Sequence, residues 1–339
     1  MRTPGLRGLL VLVAFCVCVP AWGYHLTHEI HIPGTEGWDL LALDDQANRL
    51  FVSHGTHVEV VDLSTLQVVG SIANTPGVHG IAIAADLGRG YVTAGATSSV
   101  IAFDLASLAR LTEIKTTGEN PDAILYEPRS HRVFAFNGRG RNVTVIDART
   151  NQVIGTVALD AKPELAVADA RGHVFVNLED KNSIAQLDAA TLKVLAVWRL
   201  EGCDEPSGLA IDRAHGRLFS VCSNKVMAIT NAKTGAAVAQ LPIGASVDGA
   251  GFDDARQEAY ASGGDGTLTV VKEESPQKFR VAETAATKSG ARTMVVDERA
   301  HRLYLPTAQR GPTPAPTAEQ PRPRPAIVPD SFEVLVLEP

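Results

Sequence analysis

Seven positions at regular intervals along this chain carry Asp39, His79, Asp122, Glu164, Ser207, Asp248 and Arg292, and six of these seven side chains ionise. Four carboxylates and one guanidinium give a formal charge of −3 with His79 neutral. Carboxylate oxygens gathered in this way can hold a divalent cation, or share a small polar ligand with His79 and Arg292. A hydrolytic version has Asp39, Glu164 and Asp248 holding a metal ion while His79 acts as general base. Against both stands a plain alternative: Asp, Glu and Ser are common at solvated strand starts, and a wet channel tolerates charge without using it.

A second group lies in short loops. His54 and His57 flank one of them, Asn137 and Arg139 lie in a Gly-Arg-Gly-Arg loop, and Asp265 lies in a Gly-Gly-Asp-Gly loop. Such loops can approach an anion closely, but glycine is also what tight turns require. The run His25, His28, His31 looks metal-like until it is placed on a strand, where alternation turns His28 away from the other two. No nucleophile elbow, phosphate loop, haem-attachment motif or HExxH helix is present, so a non-enzymatic binding role leads.

The elements that position these residues follow from repetition. Phe51, Tyr91, Phe134, Phe175, Phe219, Tyr260 and Tyr304 are spaced 40, 43, 41, 44, 41 and 44 residues apart. Around each, short β-branched and aromatic runs are separated by turn residues, giving four strands per repeat. Between the third and fourth strands an Asp or Asn precedes Thr or Ser by three, as in Asp62 with Thr65, Asp104 with Ser107, Asp147 with Thr150, Asp188 with Thr191 and Asn231 with Thr234. Those side chains cap backbone N–H groups just ahead of them, a structural duty.

Seven four-stranded repeats predict an all-β, seven-bladed β-propeller whose radial repetition leaves only short sheet edges. The last repeat supplies three strands, Thr293 to Val296, Leu303 to Leu305 and Phe332 to Leu337; Leu26 to Ile32 reads as the missing fourth. The seven aligned positions then open the strand that lines the central channel. Cys203, ahead of the first strand of repeat five, and Cys222, ending its second, come to one face and are expected to form a disulfide.

With Tyr91-Val92-Thr93-Ala94 close to a Tyr-Val-Thr-Asn motif, and with its Asp-x-x-Thr turns, the chain resembles the YVTN-repeat (YncE-like) propeller family. The resemblance spans residues 24–339, though no repeat carries the full motif. It implies a binding or interaction protein outside the cytoplasm.

Residues 1–23 read as a secretory signal peptide, with Arg2 and Arg7 before the apolar run Leu9 to Val19 and cleavage near Gly23. Without it, 29 basic residues face 38 acidic ones, a net −9, which argues against nucleic acid. No later stretch is long and apolar enough to span a bilayer. Residues 306–329, dense in Pro, read as a disordered insertion in blade seven, and one placed to act as a lid or docking strap. The expected protein is a secreted or periplasmic monomer. It binds a small polar ligand or an envelope protein and needs no cofactor beyond a divalent cation in the channel. A lactonase-like hydrolase and an envelope scaffold are the alternatives.

Overall fold

The computed structural model describes residues 23–317, 323 and 325–339. Within them the repeats become seven four-stranded antiparallel sheets. Blade three shows the plan: Pro121–Glu127, Arg132–Asn137, Asn142–Asp147 and Gln152–Ala158, in that order from the channel outward. The second and third strands are buried on both faces because each blade packs against the next, so they read as continuous apolar runs. The fourth, at the rim, is mostly exposed. The innermost strands of successive blades touch in an unbroken circle, from blade one through blade seven and back.

Packing between blades explains the repeated aromatics. All seven are at most 1% exposed, and burying each such ring contributes about 2 to 3 kcal/mol. They interlock with neighbours from the next blade, as Phe51 does with Phe103 at 5.7 Å between centroids. The recurrent acid caps its hairpin as expected. Asp62 Oδ1 accepts from the Ser64 and Thr65 N–H groups at 2.8 and 2.9 Å, and Asp104, Asp147, Asp188 and Asn231 do the same.

Blade seven closes the ring. Its strands are Val295–Asp297, Arg302–Thr307 and Glu333–Glu338, with His25–His31 paired outermost, Ile30 opposite Val334 and His31 opposite Glu333. The innermost of these is only three residues long. A bulge between Leu26 and His28 corrects the simple alternation of the histidine run. It sets His25 and His28 opposite Glu338 and Val336 on one side and leaves His31 on the other.

The insertion also differs from expectation at its ends. Pro306 and Thr307 belong to the second strand of blade seven. Arg310 bridges Ile327, and Gly311 N–H and Val328 N–H donate to the Ala326 and Gln309 carbonyls. Ile327 packs on the core shared by blades seven and one, which is why the base of a Pro-rich segment is held as a short ladder. The signal peptide, residues 1–22 of the expected 1–23, lies outside the described residues. Cys203 and Cys222 are joined as a disulfide, with Cα atoms 5.4 Å apart. Among the described residues no helix is long and apolar enough to cross a membrane.

Candidate functional site: the acidic channel mouth

In six blades the candidate residue is the second of its innermost strand, not the first: Asp39, His79, Asp122, Glu164, Ser207 and Asp248 follow Trp38, Val78, Pro121, Pro163, Pro206 and Val247. Arg292 precedes the short strand of blade seven. Each of the six falls in a register irregularity against the second strand, between Trp38 and Leu41 in blade one and at the corresponding step in the others. A bulge frees one residue from the ladder and re-aims its side chain. Here it aims a ring of polar groups at the channel.

A belt of side chains from neighbouring strands fixes that ring. Thr93 Oγ1 donates to the Asp122 carbonyl at 2.7 Å, Ser262 Oγ to the Arg292 carbonyl at 2.6 Å and Thr293 Oγ1 to the Asp39 carbonyl at 2.7 Å. Asn177 Nδ2 donates to the Ser207 carbonyl at 3.1 Å. Small residues permit this closeness. A Cβ on Gly80 would lie 2.8 Å from the Asp122 carbonyl oxygen, and one on Gly208 equally near that of Asp248.

The mouth is a polar cavity of about 520 Å³. It collects all seven predicted residues and adds Lys162, Glu179, Glu205, Ser223 and Ser246. Six carboxylates therefore face two fixed cations and one imidazole. His79 Nδ1 lies 2.7 Å from Asp39 Oδ2 and 3.7 Å from Asp122 Oδ1. The hydrogen bond to Asp39 raises the His79 pKa above the usual imidazole value, against the opposing effect of burial. Lys162 Nζ lies 2.7 Å from Glu164 and also pairs with Glu179, and Arg292 Nε lies 3.1 Å from Asp248 Oδ2.

Even so, the acids are under-compensated. Burial, then the surrounding carboxylates, pushes Glu164 up to about 8 despite Lys162. Burial lifts Asp248 to about 6 despite Arg292, and raises Asp122 as well. The three carboxylates assigned to an ion in the hydrolytic reading are not the group that comes together. Asp39 and Asp122 converge on His79, whereas Glu164 and Asp248 are engaged by Lys162 and Arg292.

The loop candidates separate from this ring. Asn137 is buried, its amide donating to Asn142 Oδ1 and Thr144 Oγ1. Asp265 accepts from Ala245 N–H and Thr267 Oγ1, a turn-holding role. Arg139 is exposed. His57 Nε2 lies 3.0 Å from Glu59, and His54 is fully buried, which holds its pKa below the usual imidazole value.

Lys162 and Glu179 escaped the repeat comparison because neither occupies the aligned position. Glu179 directly follows the second strand of blade four, where other blades have Gly55, Gly95, Gly138, Ser223, Gly264 or Ala308. One long acid in a column of small residues was the available signal.

No protein-family model matches the chain, and no curated protein matches it in sequence. Its architecture does match solved structures. The RRP9 WD40 repeats superpose with a TM-score of 0.76 at 9% identity, covering 92% of this chain and 97% of that one. The chain is a seven-bladed β-propeller. U3-55K gives 0.76 at 8% identity, covering 91% and 97%. Hydrazine synthase of Kuenenia stuttgartiensis gives 0.69 at 17% identity, covering 81% and 94%. At these identities the likeness is one of fold, and function has to be argued from the site.

Proposed function

We propose that this propeller is a non-enzymatic binding module of the YVTN-repeat type, acting outside the cytoplasm, whose channel mouth takes the positively charged group of a ligand or partner. The observation that carries this reading is the imbalance of six carboxylates against Lys162 and Arg292 in one cavity. Three of the acids have pKa values raised by burial and by one another. Buried carboxylates in that state gain when a further cation enters, because the charged form is then paired. Lys162 and Arg292 already display the two chemistries that fit, an ammonium and a guanidinium. A cavity of this size suits a small organic cation or a basic side chain better than a bare ion. The disulfide fits an oxidising compartment.

Thermal-shift and calorimetric titrations with spermidine, lysine amide, arginine amide and calcium test the reading. Saturable binding of an organic cation, lost in Asp122→Asn and Asp248→Asn, supports it. Preference for acetate or phosphate, or turnover of a lactone, refutes it.

A further inference from the structure

Away from the channel ring, the hairpin joining the second and third strands of blade one gathers a different donor set. The strands Arg49–His54 and His57–Asp62 are linked by Gly55 and Thr56 alone, and His54 and His57 are the pair that closes the ladder. Opposed residues of a ladder share a face, as do residues two apart on one strand, so Glu59 joins both histidines. Gly55 makes the turn at φ +60. One donor atom from each of His54, His57 and Glu59 lies within 4.8 Å of the other two, and His57 Nε2 is 3.0 Å from Glu59 Oε1.

The second observation is His54 itself. It is 0% exposed, and neither ring nitrogen has a hydrogen-bond partner among the described residues. Its ring is held against Phe332 at 4.6 Å and beside His57 at 4.9 Å. A buried imidazole with neither nitrogen partnered is a costly arrangement, and ligation by one nitrogen would relieve it. Glu36 Oε2, 3.9 Å from His54 Nε2, is placed as an outer carboxylate for the nitrogen that does not ligate. His57, partly exposed, lines a groove of about 540 Å³ and so opens the cluster to solvent.

We propose that His54, His57 and Glu59 bind a divalent transition metal of the zinc class. Two imidazoles and a carboxylate with a position left open suit zinc, or copper and nickel, and not calcium or magnesium, which demand oxygen donors. The cluster of Asp212 and His215 from blade five with Glu273 from blade six lacks this character, since Asp212 is spent capping the Ala214 and His215 N–H groups.

Titration of the full chain with zinc by calorimetry, repeated with cobalt while the visible spectrum is read, tests the site. The expected result is one tight equivalent of zinc, a cobalt spectrum of a low-coordinate imidazole site, and a zinc-dependent rise in Tm. Affinity falls at least about tenfold in His57→Ala and Glu59→Gln, both partly exposed, and in His54→Phe, which keeps the stack on Phe332. Failure of zinc and cobalt to bind overturns the proposal. So does binding that survives His57→Ala and Glu59→Gln but is lost in Asp122→Asn, which would put the ion in the channel mouth.

Discussion

His79 Nδ1 stands 2.7 Å from Asp39 Oδ2 and 3.7 Å from Asp122 Oδ1, so one imidazole links acids from the blades on either side of its own. Its raised pKa means that the folded state binds the proton more tightly than the unfolded chain does. The stabilisation is therefore complete below the unfolded value of about 6.5 and is lost as pH rises through the folded value. His79→Asn is expected to cost about 1 kcal/mol at pH 5.5 and less at pH 9, read by denaturant unfolding at both. The same substitution removes a resident competitor for cations, so spermidine binding at pH 6 tightens.

The mouth acids give the same slope for a different reason. With folded values of about 6 for Asp248 and about 8 for Glu164, the native state holds protons that the unfolded chain has released. Stability falls as pH rises across that span. Without ligand, Tm is expected to decline from pH 5 to pH 8.5, and Asp248→Asn flattens the decline. A Tm that climbs with pH in the parent contradicts this.

Close packing at the ring makes a sharper prediction about position. Gly80→Ala puts a methyl group 2.8 Å from the Asp122 carbonyl oxygen, and overpacking of this kind costs about 1 to 3 kcal/mol. Thr93→Val removes the hydrogen bond that pins the same carbonyl. Both are expected to weaken cation binding together with stability.

Reduction of the Cys203–Cys222 bridge opens a loop of 19 residues. Loss of that constraint costs about 3 kcal/mol, seen as a lower urea midpoint for the Cys203→Ser, Cys222→Ser double variant.

The sequence disclosed the fold and brought together most of the residues lining the candidate cavity, because both depend on the repeat. Phe51 through Tyr304 mark the blade period, and once the blades align, Asp39 through Arg292 fall into one ring. What stayed hidden does not repeat. Lys162, from a neighbouring column, pairs with both Glu164 and Glu179, and only spatial contact brings these residues in. The bulge that makes the ionisable residue second in its strand leaves no trace in composition. The ladder at the base of the Pro-rich insertion depends on Ile327 reaching the core, a single apolar residue in a polar stretch.

The most direct test of a cation-seeking channel mouth is calorimetry of spermidine binding at pH 6 and pH 8 in two buffers of different ionisation enthalpy. Entry of a cation displaces protons from Glu164 and Asp248, so protons should be released on binding and affinity should be higher at pH 8. Binding that takes up protons, or affinity unchanged between the two pH values and untouched by Asp122→Asn, would contradict the account.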